Sequence, residues 1–248
     1  MSSESTPAPP RASESALRVV WLYPDLMSTY GDRGNLLILT HRAVARGVAV
    51  EAFEVRSDEK IPEQADIYLI GGGEDGPQTL AAKRLAADGA LGRAVELGSV
   101  IFAVCAGYQV MGTSFVAKDD RCAGIALLDV HSDRGETRAV GELAGQVDPA
   151  LGLPALTGFE NHGGRTHVGS DARPLARVTA GIGNDGHTEG AYRGTVLGTY
   201  CHGPALARNP ALADLLLRWA TGAGELAELD ATWTGRLRAE RLAAVPRS

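Results

Sequence analysis

Short apolar runs alternate with stretches of helical spacing along the first half of the chain. Residues 19–23 form the first run, residues 35–46 place apolar side chains three and four apart, and residues 48–55 return to an extended pattern. Residues 66–70 predict a third strand. Residues 79–97 repeat Ala and Leu at helical intervals and predict one long helix, and residues 99–104 form an apolar, β-branched strand. Strands alternating with helices of this length pair in parallel, so the fold class is α/β with a doubly wound, mostly parallel sheet. After Met111 the texture changes to Gly, Asp, Thr and short apolar runs. This predicts additional antiparallel strands extending the sheet before a helix at 210–220.

Composition divides the chain further. Residues 1–16, rich in Ser, Pro, Glu and Ala, cannot bury enough apolar surface to offset the cost of ordering, and are expected to be a disordered leader. Residues 17–222 read as one domain, and residues 223–248, rich in Ala and Arg, as a tail that forms a loose helix or a docking segment. No internal repeat is visible. The formal net charge of −6 argues against nucleic acid or an anionic membrane surface as a partner. The three cysteines, Cys105, Cys122 and Cys201, include no Cys-x-x-Cys pair, so neither a disulfide framework nor a metal site is expected, and a reducing cytoplasm is the simplest location. No run reaches the 18 or so apolar residues that would span a bilayer.

The candidate chemistry begins at Cys105. An apolar strand delivers this thiol to the carboxyl edge of the sheet, and Ala106 and Gly107 let the chain turn sharply into a helix. A thiol at a helix N-terminus feels the positive end of the backbone dipole, which favours the nucleophilic thiolate. A second apolar run, 195–200, leads to His202, a suitable general base and acid. A third, 66–70, runs into Gly71-Gly72-Gly73, where backbone N–H groups can approach a substrate closely. No Gly-x-x-x-x-Gly-Lys-Ser/Thr occurs, so an ATP-binding P-loop is not expected in this chain.

Cys105-x-Gly107-x-Gln109, with His202 97 residues beyond Cys105 in Gly198-Thr199-Tyr200-Cys201-His202-Gly203-Pro204, resembles the class I glutamine amidotransferases. The segment 158–166, Gly-Phe-Glu-Asn-His-Gly-Gly-Arg-Thr, is similar to the cobyric acid synthase (CobB/CobQ) branch. The opening 23–35, Tyr-Pro-Asp-Leu-Met-Ser-Thr-Tyr-Gly-Asp-Arg-Gly-Asn, is similar to the stand-alone glutaminase subunits of lipid II isoglutaminyl synthases. The resemblance implies a flavodoxin-like core and hydrolysis of L-glutamine through a Cys105 thioester, with His202 as base and acid. It further implies an oxyanion hole from the Gly73 and Ala106 amides, and Arg138 as a glutamine-binding residue with Arg134 as competitor. Tyr108 and Gln109 are expected against bound glutamine.

The same resemblance implies ammonia delivery to a MurT-like Mur ligase subunit in a heterodimer, which binds ATP and Mg and amidates the α-carboxyl of D-glutamate in lipid II. No cofactor is expected in this chain. A corrinoid amidating system or a cysteine sensor of the same fold are the alternatives. Many class I members carry His-x-Glu, whereas position 204 here is Pro204, which leaves a dyad, Glu160, or a partner residue to complete a triad. His162 is a rival base that is expected to shape the site instead. The loop 25–35 reads as a lid or docking surface.

Overall fold

The computed structural model describes residues 16–29 and 31–244; the first fifteen positions, where the disordered leader was expected, and Tyr30 fall outside them. The chain runs β1 (Leu17–Leu22), α1 (Arg33–Val44), β2 (Val50–Val55), β3 (Ile67–Ile70), α2 (Asp75–Asp88), α3 (Ala90–Glu96), β4 (Val100–Val104) and α4 (Ala106–Met111). It continues through β5 (Ser114–Ala117), β6 (Asp120–Ala123), β7 (Val130–Val147), β8 (Leu156–Val168), β9 (Ala176–Ala180), β10 (Thr188–Glu189), β11 (Ala191–Arg193) and β12 (Val196–Thr199). Helices α5 (Ala205–Arg208), α6 (Pro210–Thr221) and α7 (Thr232–Ala244) close it.

The first sheet has the order β11-β12-β4-β3-β1-β2 and is parallel except for β11. Leaving β11 aside, this is the order 2-1-3-4-5 of the flavodoxin-like core that the family resemblance implies. Every residue of β3, β4 and β12 is buried, which explains their unbroken apolar runs: a parallel strand covered on both faces has no polar side to show. Helix α1 packs with α5 and α6, and α2 packs with α4.

Two expectations are corrected. The helix expected over 79–97 is two helices, because Gly89 adopts φ +67°, ends α2 in the left-handed region and starts α3. The antiparallel strands do not mainly extend the first sheet. They form a second sheet of order β10-β9-β7-β5-β6, with the long β8 paired to β7, and only β11 joins the first. In the tail, α7 has no buried residue, and Arg238 ties it to the body by donating to the Arg208 carbonyl at 2.9 Å and Asn209 Oδ1 at 2.8 Å.

Candidate active site

Four loops leave the carboxyl ends of β1, β3, β4 and β12 on one edge of the first sheet, where doubly wound folds place their ligands. Cys105 sits between β4 and α4 with φ +53° and ψ −111°. A non-glycine residue holds such a conformation only when its surroundings impose it, at about 1–3 kcal/mol. Here the Cys105 N–H donates to the Thr199 carbonyl at 2.8 Å, and the Gly107 N–H to the Gly71 carbonyl at 3.1 Å. A Cβ on Gly107 would stand 2.7 Å from that carbonyl oxygen, so glycine is required where the elbow crosses the β3 loop.

His202 follows β12. Its N–H donates to the Phe159 carbonyl at 2.8 Å and its own carbonyl accepts from the Phe159 N–H at 3.3 Å, fixing it against β8. Its imidazole is buried between Cys105 and Asp32. Burial alone would lower its pKa, but hydrogen bonds to the Asp32 carboxylate and the Cys105 sulfur, together with their charges, push it up to about 10. The arrangement therefore holds a proton on His202 beside the sulfur.

The orienting acid is Asp32, which the sequence reading placed only within a lid or docking loop. Its Oδ1 lies 3.7 Å from His202 Nδ1, and its Oδ2 accepts the Gly72 N–H at 2.6 Å. The three glycines after β3 make room for this. A Cβ on Gly71 would meet Asp32 Oδ2 at 2.5 Å, and one on Gly72 would meet His202 Cε1 at 3.1 Å. Glu160, the internal candidate for this role, is committed elsewhere. Its carboxylate accepts the Ile182 and Gly183 N–H groups at 2.8 Å each and faces His162 Nε2 at 3.3 Å. His162 is accordingly no rival base: its Nδ1 faces the Gly164 carbonyl at 3.0 Å, and its ring stacks on Tyr200 at 3.7 Å.

Cys105, Ala106 and Gly73 line a common cleft of about 550 Å³ with Gln109, Arg138 and Asn161. Arg138 donates Nε–H to Asn161 Oδ1 at 2.7 Å and an NH2 proton to the Asn161 carbonyl at 3.3 Å, which aims the exposed guanidinium while leaving donors for a carboxylate. Arg134 also lines the cleft but lies 3.8 Å from Asp75 and 3.7 Å from Asp119. Tyr108 does not face the cleft as expected. It is fully buried, lies where a Cβ on Gly198 would be, and its hydroxyl donates to Asn184 Oδ1 at 3.2 Å. Gln109 bridges the cleft to the core, donating to the Tyr200 hydroxyl at 2.9 Å and accepting from Gln78 at 2.7 Å.

Asp32 lies far from any Cys or His motif in sequence. The signal that could have found it is topological: the Gly31-Asp32 pair leaves the carboxyl end of β1, the strand beside the switch point.

A nucleophile, a protonated base, an acid that orients it and a cleft with an exposed guanidinium together can transfer an acyl group from an amide. The comparisons agree. The profile of the CobB/CobQ-like glutamine amidotransferase domain matches residues 18–210. The chain is 35% identical over 209 residues to the lipid II isoglutaminyl synthase (glutamine-hydrolyzing) subunit GatD of Staphylococcus aureus (strain N315), covering 82% of this chain and 84% of that one. It is 33% identical to the same-named subunit of Streptococcus pneumoniae (strain ATCC BAA-255 / R6), covering 82% and 80%. A probable cobyric acid synthase of Methanopyrus kandleri is also 33% identical, but the match spans only 38% of that protein. Among solved structures, a glutamine amidotransferase superposes with a TM-score of 0.57 at 21% identity, covering 82% of this chain and 99% of that one, which supports the fold.

Proposed function

The chain belongs to the CobB/CobQ-like glutamine amidotransferase family, and on that premise we propose that it is the glutaminase subunit of a lipid II isoglutaminyl synthase, acting in peptidoglycan synthesis. The observation that carries this reading is the likeness to two such subunits over about four fifths of both chains. The cobyric acid synthase match covers little more than a third of its protein, so it favours the shared chemistry over the shared acceptor.

In the first half-reaction the Cys105 sulfur attacks the side-chain amide carbon of L-glutamine. The carbonyl oxygen takes negative charge facing the Gly73 and Ala106 amides, and Arg138 holds the substrate carboxylate. His202 gives its proton to the departing nitrogen, ammonia leaves, and a thioester remains. A water then attacks the thioester carbon, His202 takes a proton from it, and glutamate departs as Cys105 is restored. Asp32 keeps the imidazole oriented throughout.

Ammonia passes to a MurT-like Mur ligase subunit in a heterodimer, which binds ATP and Mg and activates the α-carboxyl of D-glutamate. The absence of a P-loop motif from this sequence fits that division of labour. No helix of the described residues is long and apolar enough to cross a membrane. On the proposed function, the chain acts in the cytoplasm and meets lipid-linked substrate at the inner face of the membrane through the complex.

The test is glutamate release from L-glutamine by wild-type and Cys105→Ala chains, with and without the ligase subunit, ATP and lipid II. Cys105-dependent release, with amidated lipid II formed only in the complete mixture, is expected. No release in any mixture overturns the glutaminase reading in favour of a cysteine sensor, and release without amidated lipid II overturns the acceptor alone.

A further inference from the structure

On the solvent-facing side of the second sheet, strands β7 and β8 gather three side chains of metal-binding type. His131 and Asp133 stand two apart on β7 and so share a face, and His167 lies directly opposite His131 in the antiparallel register. The two imidazoles stack with centroids 4.8 Å apart. Asp133 Oδ2 is 3.5 Å from His167 Nε2 and 4.0 Å from His131 Nε2, and one donor atom from each residue falls within 4.8 Å of the other two.

A tetrahedral ion with ligands at about 2.0–2.1 Å has ligand–ligand edges of roughly 3.4 Å. The Asp133–His167 edge already has this length, and the remaining edges close by rotation of His131, whose side chain is half exposed. Two ligands at i and i+2 on one strand and a third from its neighbour fix three corners of a tetrahedron and leave the fourth to water.

The surroundings prepare the carboxylate. Arg121, itself held by Ser114 Oγ at 3.0 Å, donates to Asp133 Oδ1 and leaves Oδ2 turned toward the two histidines. The guanidinium also repels a cation, as does Arg165 across from Asp133 in register, so affinity falls below that of a closed four-ligand site.

We propose that His131, Asp133 and His167 form a binding site for a divalent transition metal of the zinc class. Two imidazoles and one carboxylate select Zn²⁺, Ni²⁺ or Co²⁺ over Mg²⁺ or Ca²⁺, which take oxygen ligands. The ion pins β7 to β8 beside the register shift between Arg134 and Ala139, where β7 turns cleft-lining Arg134, Gly135 and Arg138 toward the active site. The sequence concealed this site because its ligands lie on two strands 36 residues apart and form no compact motif.

The test is calorimetric titration of the full chain with ZnCl₂, carried out in a Cys105→Ala background so that the Cys105–His202 pair does not compete. One equivalent of Zn²⁺ is expected, with Co²⁺ giving the visible absorption of a tetrahedral site. The His131→Ala/His167→Ala pair in the same background should lose this equivalent, and Asp133→Asn should weaken it at least tenfold. Circular dichroism without metal confirms that each variant folds. Absence of stoichiometric binding, or equal binding by the double variant, overturns the proposal. The readout does not depend on glutamine hydrolysis, so it stands or falls separately from the glutaminase reading.

Discussion

Asp32 Oδ1 lies 3.7 Å from His202 Nδ1, although 170 positions separate the two residues. The contact is fixed from the other side, because Asp32 Oδ2 accepts the Gly72 N–H and so cannot turn away from the imidazole without leaving a buried amide unpaired. The chain thus places a carboxylate of its own beside His202, while Glu160 is bonded to the Ile182 and Gly183 N–H groups.

Asp32→Asn should keep the Gly72 hydrogen bond but present an amide to His202. We expect kcat for glutamine hydrolysis to fall by about 10²–10⁴-fold with KM little changed, since the carboxylate acts through the imidazole and not on the substrate. NMR titration of His202 should show its pKa falling from about 10 toward the ordinary value, because one of the two groups raising it is removed. Wild-type turnover in this variant would remove Asp32 from the mechanism.

The glycines after β3 make different demands. A Cβ at position 71 would press on Asp32 and on the Met27 carbonyl at 2.6 Å, so Gly71→Ala should cost about 1–3 kcal/mol and lower Tm by roughly 2–4 °C per kcal/mol. A Cβ at position 72 would stand 3.1 Å from the His202 ring and 3.5 Å from Cys105 Cβ, displacing the pair by a few tenths of an ångström. Gly72→Ala should therefore unfold near the wild-type Tm yet lose at least tenfold in kcat. Calorimetry and steady-state kinetics on the two variants separate these outcomes.

Cys105 and His202 were legible because each follows an apolar run of a strand buried on both faces, where a thiol or an imidazole stands out. The doubly wound parallel sheet was legible in the alternation of strands and helices, whereas its flavodoxin-like core came only from the family resemblance. Asp32 was not, because it sits in a polar loop where aspartate is common, and only the register of β1 beside β3 brings it over Gly72. The second sheet was equally hidden: β7 and β8 are long, Gly-rich and polar on one face, and such strands do not declare which sheet they join. Tyr108 was misplaced because its proximity to Cys105 in sequence says nothing of which side of α4 it takes.

Arg138 is aimed by Asn161 over the cleft and is exposed. Arg138→Ala should raise KM for L-glutamine about 10–100-fold while changing kcat less, as expected for a group that binds the substrate carboxylate equally in ground and transition states. Arg138→Lys should recover little, because an ammonium cannot hold Asn161 and a carboxylate in one plane. An unchanged KM in Arg138→Ala would shift the assignment to Arg134.

Glu189 supplies the last prediction. Its fully buried carboxyl accepts the Thr199 hydroxyl and the Tyr200 N–H at 2.8 Å, and Thr199 Oγ1 in turn accepts the Cys201 N–H at 3.0 Å, so it fixes the backbone leading into His202. Burial pushes its pKa up from 4.5 to about 7, with the Glu160 charge adding to the rise. For an acid whose folded pKa exceeds its unfolded value, the stabilisation is complete below the unfolded pKa and disappears as pH rises through the folded one. Between pH 4.5 and 7 the wild type should thus lose about 3 kcal/mol of unfolding free energy from this group. Glu189→Gln keeps an oxygen for Thr199 and Tyr200 but cannot ionise. In urea titrations it should match the wild type near pH 4.5 and exceed it near pH 7.5, whereas parallel curves would show that the carboxyl titrates in its ordinary range.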